Sequence, residues 1–417
     1  MHPEVIDKCR QAYKAAAILA NCSTNLKNDI LVSIARSLEA NKNIIIEDNH
    51  VDLELLKKKD SYTKAFYDRL LLTGDRIDGM AESLREIAAL DDPIGEVTGM
   101  WKRPNGLQIG RVRVPIGVIG IIYEARPNVT IDAAALALKA GNAVILRGSS
   151  EAINSNKALV KIIQQCLTDK DLPEGSVSLI EDTEYAAAID LMKSNDYVDL
   201  LIPRGGPKLI KTVIDNSTVP VIQTGAGNCH TYIDSNADLD MAVDIAVNAK
   251  VQRPGVCNAM ETLLVHQDIA PDYLPKVIPA LLGRGVEIRG CRRTAEYSSA
   301  IKPAEELDWE TEYLDLILAV KIVNGIDEAI NHINHYGTKH SEAIITNSYN
   351  RSTEFLARVD AAAVYVNAST RFTDGFVFGL GAEMGISTQK LHARGPMGLE
   401  ALTSLKYIIY GSGQIRE

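Results

Sequence analysis

Apolar positions change their period twice along this chain. Over the first ninety residues they recur every three to four positions. Leu26, Ile30, Leu31, Ile34 and Leu38 fall on one face of a helix, with Ser23 or Thr24 placed to cap its start. The spacing predicts helices through this stretch. From 95 to 114 the pattern becomes strand-like, with runs at 96–102 and 107–114 flanking Pro104-Asn105-Gly106. Asn-Gly is a strong hairpin signal. A long hairpin between helices and a sheet leaves edges in need of a partner, which predicts an arm.

From Ile116 onward short apolar runs alternate with helical ones. Strands are expected at 118–123, 143–147, 176–180, 198–202 and 219–223, and helices at 131–139, 154–167, 185–193 and 208–216. Such alternation predicts a parallel sheet covered by helices on both faces. A second α/β region follows, with a helix at 237–249 and strands at 262–266, 286–289, 316–323, 343–346 and 363–367. The tail, 402–410, is apolar and β-prone and suits pairing with the hairpin.

Composition narrows the function. The 417 residues leave room for two or three domains. Net charge is -10, from 44 basic and 54 acidic residues, without a long basic stripe, so nucleic acid is not an expected partner. No apolar run approaches the roughly 20 residues of a membrane span, and the N-terminus lacks a signal peptide's apolar core. Six cysteines without CxxC spacing fit a reduced, cytoplasmic setting. His332, His335 and His340 are spaced like ligands but lack a fuller set around them, so no metal is expected.

Chemistry concentrates in loops. Cys257 lies in Gln252-Arg-Pro-Gly-Val-Cys257, where Gly255 allows close approach and Arg253 favours a thiolate. By itself such a cysteine is as easily a small core residue. Asn128, after a predicted strand, reads either as an oxyanion donor or as a helix cap. Predicted strand ends carry Ala125-Arg-Pro-Asn128, Arg147-Gly-Ser-Ser150, Pro203-Arg-Gly-Gly206 and Thr224-Gly-Ala-Gly227, which suit phosphate groups. GxGxxG, P-loop and GxSxG patterns are absent.

Taken with His335-Tyr-Gly-Thr-Lys-His-Ser-Glu342, Val366-Asn-Ala-Ser-Thr-Arg-Phe-Thr-Asp-Gly375 and Arg394-Gly-Pro-Met-Gly-Leu-Glu400, these strings resemble the aldehyde dehydrogenase superfamily over nearly the whole chain. Within it the chain is most similar to the γ-glutamyl phosphate reductases. The resemblance implies two doubly wound, Rossmann-like α/β domains and a small β oligomerisation arm. It places a cofactor domain at 1–94 and 115–229, a catalytic domain at 230–365, the arm at 95–114 and 402–413, and a return segment at 366–401.

It also implies roles. Cys257 matches the catalytic thiol and Asn128 the oxyanion-hole amide. Arg147, Gly148, Ser149, Ser150, Gly205, Gly206, Thr224 and Gly225 fall at the cofactor, as does Glu312, with Glu310 the alternative. Ser150 stands where an acid would repel a ribose 2′-phosphate, which favours NADP, although Glu151 is adjacent. Arg253, Arg371, Arg126 and Arg394 are candidates for the substrate's anionic groups. The turn Gln223-Thr-Gly-Ala-Gly-Asn228 lacks the glutamate base of hydrolytic relatives, as an acyl-phosphate reductase requires. The implied substrate is L-glutamate 5-phosphate, the implied cofactor NADPH, and the implied partners a second copy of the chain and glutamate 5-kinase. Rival readings are a coenzyme-A-acylating dehydrogenase and a silent scaffold on the same fold.

Overall fold

The computed structural model describes residues 2–59 and 62–416. The chain forms two compact units, one built from 1–223, 379–385 and 397–417, the other from 224–378 and 386–396. They divide at Gln223/Thr224, a few residues before the 229/230 boundary expected. The return segment 366–401 is shared between them.

The first unit opens with helices Pro3–Leu19, Thr24–Ala40, Lys42–Lys57, Lys64–Leu70 and Gly74–Ala89. Ser23 caps the second, its hydroxyl accepting from the Leu26 N–H at 3.3 Å, and the Ile30–Leu31–Ile34–Leu38 stripe is buried. Then the strands Val97–Lys102 and Gln108–Pro115 pair antiparallel. Gly106 closes their turn at φ +91°, a conformation that favours glycine. The tail Thr403–Tyr410 pairs antiparallel with Gln108–Pro115, completing a three-stranded arm.

The four-stranded sheet of this unit is wholly parallel, in the order Val177–Leu179, Ala143–Arg147, Val118–Tyr123, Leu200–Arg204. Every residue of Val118–Tyr123 is buried, as a strand covered on both faces demands. The expected strand at 219–223 does not form. Val221 makes a single bridge to Leu201, and the segment otherwise runs as extended loop. The expected helix at 131–139 starts earlier, as Pro127–Lys139, because Pro127 fits the first helical turn where no N–H is needed.

The second unit is a seven-stranded parallel sheet. Its order is Lys302–Pro303, Glu287–Gly290, Ile317–Val323, Met260–His266, Cys229–Ile233, Ser341–Ile345, Ala363–Val366. Leu263 and Val265 join a core beneath the helices Leu239–Val251 and Ala270–Leu282. Leu264, between them, joins the opposite core with Ile330, Ile333 and Phe355 from Ile326–Tyr336 and Tyr349–Arg358. Helices therefore cover both faces, and the sheet is doubly wound.

Candidate active site

The second unit carries the thiol. Cys257 lies in the loop between the helix Leu239–Val251 and the central strand Met260–His266, half-buried. Its carbonyl oxygen accepts from the Cys229 thiol at 3.1 Å, and burial pushes that thiol well above its ordinary range, so Cys229 stays protonated and can donate. Gly227 packs directly behind. A Cβ at 227 would lie 1.5 Å from the Cys257 carbonyl oxygen, so only glycine fits.

The next residue ties this loop to the turn bearing Arg371. The Asn258 amide donates to the Thr373 carbonyl at 2.9 Å and to that of Arg371 at 3.3 Å, while the Thr370 hydroxyl donates back to the Asn258 carbonyl at 2.8 Å. Arg371 is steered by Gln252, whose side-chain oxygen accepts from its Nε at 2.9 Å. Burial and the like charge of Arg253 push the Arg371 guanidinium below its ordinary value, and Cys257 opposes them. The Arg371 guanidinium thus lies near the thiol, with Arg253 close to Arg371. Arg394 is elsewhere engaged. Its guanidinium pairs with Asp360 at 2.8 Å, and Lys339 and Lys390 share that carboxylate.

Glu312 is fixed close to the same loop. Its carboxylate accepts from the Gly227 N–H at 2.7 Å, and burial raises its pKa. Leu314, at φ +54°, has its N–H anchored by Glu261 at 3.2 Å, and Glu261 forms a fully buried pair with Lys250 at 2.5 Å. Thr224 bridges to Ser387, and the Gly225 N–H donates to the Ile386 carbonyl. The three histidines face different surroundings. His332 accepts from Lys321 at 3.2 Å, His340 lies against Ser341 and Cys229, and His335 is exposed.

The first unit carries the amide. Asn128 is neither a strand-end residue nor the helix cap, which is Arg126. It sits in the first turn of Pro127–Lys139, exposed. Its Nδ2 donates to Asp132, one helical turn on, at 3.2 Å. An amide has two such hydrogens, so one remains to face a ligand. Asp132 gives no signal in the sequence; spaced four residues from Asn128, it reads there as part of a solvated helix face. Arg126, Arg204 and Glu383 line a cavity of about 60 Å³ with these two residues.

Two features of the chain fit a dinucleotide. Arg147 ends its strand with its guanidinium set on the carbonyls of Gly148, Thr183 and Glu184, beside Ser149 and Ser150. The neighbouring acid, Glu151, is paired with Lys59 at 2.7 Å, which offsets its charge. One feature fits only after a movement. Glu124 accepts from the Gly206 N–H at 2.7 Å, at the start of the helix Pro207–Asn216, and occupies the space a Cβ on Gly205 would need. A pyrophosphate oxygen taking that N–H has to displace it.

A thiol near a guanidinium, on a loop entering the central strand of one doubly wound unit, is an arrangement with known counterparts. The model of the aldehyde dehydrogenase family matches residues 2–286. A γ-glutamyl phosphate reductase from Moorella thermoacetica is 61% identical over 414 residues, covering 99% of each chain. One from Clostridium perfringens is 60% identical over 416 residues, covering 100% of each.

The chain belongs to the aldehyde dehydrogenase family, among its γ-glutamyl phosphate reductases.

Within the family, the crystal structure of γ-glutamyl phosphate reductase from Thermotoga maritima superimposes with a TM-score of 0.97 at 49% identity, covering 99% of this chain and all of that one. The propionaldehyde dehydrogenase of Rhodopseudomonas palustris shares the fold at 16% identity and a TM-score of 0.69, covering 97% of this chain and 96% of that one. Family membership implies a nicotinamide cofactor and a small-molecule substrate. Among the described residues no helix is long and apolar enough to cross a membrane.

Proposed function

We propose that this chain reduces L-glutamate 5-phosphate to L-glutamate 5-semialdehyde with release of inorganic phosphate, the second step of proline biosynthesis, and that NADPH is its reductant. The observation that supports this most is the setting of Cys257: the Arg371 guanidinium beside the thiol, with no carboxylate among the residues of the turn 223–228.

The Cys257 thiolate attacks C5 of the acyl phosphate. Negative charge moves to the carbonyl oxygen, where the free hydrogen of the Asn128 amide and the Cys257 backbone N–H stabilise it. The bond from C5 to the phosphate oxygen breaks and the phosphate leaves with its electron pair, giving a thioester. Arg253 and Arg371 offset charge on the departing phosphate. When bound, the nicotinamide supplies the hydride that brings the acyl group to the aldehyde level. Arg147, Ser149, Ser150, Gly205 and Gly206 would hold its adenosine and phosphate end, and Thr224, Gly225 and Glu312 its nicotinamide end. Scission of the C–S bond then frees the aldehyde and regenerates the thiolate. Without an acid in the 223–228 turn, water is not activated against the thioester, and the acyl group survives to be reduced.

NADP rather than NAD is favoured by Ser150 and by the Lys59–Glu151 pair, which leave the 2′-phosphate unopposed. The arm leaves Leu405, Tyr407 and Ile409 exposed along one face of an edge strand, which suits pairing with a second copy of the chain. A Cys257→Ala variant should bind NADPH and show no turnover; substantial turnover would remove the thiol from the mechanism.

A further inference from the structure

Nothing described so far recognises the far end of the proposed substrate. Its reacting end is an acyl phosphate, but its other end is an α-amino acid head group, a cation and an anion on one carbon. That end sets this substrate apart from simple acyl groups, so some part of the chain has to read it.

The cavity beside Asn128 has the matching chemistry. Its polar lining is Arg126, Asn128, Asp132, Arg204 and Glu383, with apolar side chains closing the rest. Acids and cations stand side by side, a poor lining for an alkyl chain and a good one for a zwitterion. At about 60 Å³ it takes roughly the volume of two waters, the scale of an ammonium and a carboxylate on one carbon.

Asp132 is built to hold a charge there. Its carboxylate accepts from Asn128 at 3.2 Å and from the Ser83 hydroxyl, and Arg204 lies close enough to stabilise it. Burial pushes it up to about 6, against those three contacts, so it is ionised at neutral pH. Residues four apart on a helix lie about 5–6 Å from Cβ to Cβ. That spacing suits a glutamyl chain whose carbonyl oxygen meets Asn128 while its α-carbon group reaches Asp132.

We propose that this cavity is the amino-acid recognition site of the enzyme, in which Asp132 receives the substrate's α-ammonium and Arg204, with Arg126 beside it, receives the α-carboxylate. The proposal rests on the acyl-phosphate reading above. It makes Asp132 a specificity residue in contact with substrate rather than only a partner for Asn128.

Asp132→Asn separates the two roles. An asparagine at 132 still offers Asn128 an acceptor oxygen but has no charge for an ammonium. The reaction is run in reverse with NADP and phosphate on two aldehydes, L-glutamate 5-semialdehyde and 5-oxopentanoate, which keeps the carboxylate and lacks the amine. The wild type should prefer the amino substrate in kcat/KM by on the order of a hundredfold or more, since a site built for a polar group rejects the analogue lacking it. Asp132→Asn should collapse that ratio to near one, with NADPH binding by fluorescence showing that the fold is intact. A ratio unchanged from wild type, with both values reduced alike, would overturn the proposal and leave Asp132 as a positioning residue for Asn128. Arg204→Gln is the second arm. It should erase the preference for L-glutamate 5-semialdehyde over 4-aminobutanal, which keeps an amine and lacks the carboxylate, and a retained preference would remove Arg204 from the site. If the wild type turned over none of these aldehydes, the acyl-phosphate reading would fall first and the proposal with it.

Discussion

Gly227 and Cys257 form one structural feature. With a Cβ at 227 placed 1.5 Å from the Cys257 carbonyl oxygen, Gly227→Ala must push the Cys257 loop aside. We expect kcat to fall by on the order of a hundredfold, because a displacement of about 1 Å at a reacting group costs that much. Steady-state kinetics beside a melting curve test this; an unchanged kcat would mean that the loop shifts harmlessly. Glu124 gives a second residue-scale test. Its carboxylate holds the Gly206 N–H that an anion would take, so Glu124→Gln should tighten NADPH binding several-fold in a fluorescence titration, and weaker binding would show that Glu124 assists the cofactor. Much of the candidate chemistry was legible in the sequence, because Cys257 lies in a distinctive string. Asp132, Cys229 and Glu124 were not. Cys229 and Glu124 meet Cys257 and Gly206 only through folding, Asp132 lies one helical turn from Asn128, and each alone reads as an ordinary surface acid or core cysteine.

Elements were legible where periodicity was strong and misread where polar residues were buried. The strand Cys229–Ile233 was missed because His230 and Thr231 interrupt its apolar run. All five residues are nonetheless buried, and Glu342 satisfies the His230 backbone N–H at 2.7 Å and its ring nitrogen at 3.0 Å. The reverse error occurred at 219–223, apolar enough for a strand yet held to the sheet by one bridge. The pairing of hairpin and tail is legible, because Asn105-Gly106 and the β-prone tail are local signals. Its exposed face also carries a prediction. Tyr407 packs edge-on against Trp101, with Leu405 and Ile409 on either side along the strand. A Tyr407→Lys, Ile409→Lys double variant should lower the assembly's mass by light scattering while each unit stays folded. An unchanged mass would place the interface elsewhere.

For the whole molecule, buried histidines make stability depend on pH. Burial pushes His340 down to about 4 and His332 to about 2, the latter helped by His230 and Lys321. The unfolded chain takes up these protons near 6.5, while the folded chain does not, so the contribution of the two rings to stability rises with pH between about 4 and 6.5. Each histidine contributes about 1.4 kcal/mol per pH unit in that window. Asp132, raised to about 6, and Glu261, raised to about 7, take up protons on folding and act in the opposite direction. The histidine part is therefore read as a difference: between about pH 7 and about pH 5.5 the wild type should lose roughly 2–3 kcal/mol relative to a His332→Gln, His340→Gln variant in urea unfolding. A difference that does not change with pH would show that these rings are protonated in the folded state.

The central claim is that Cys257 serves acyl-phosphate chemistry, and the reverse reaction tests it most directly. Purified protein is mixed with glutamate 5-semialdehyde and NADP, and NADPH formation is followed with and without inorganic phosphate. The account predicts formation that requires phosphate and disappears in Cys257→Ala. Formation at the same rate without phosphate would contradict it, because water would then be taking the acyl group from the thiol.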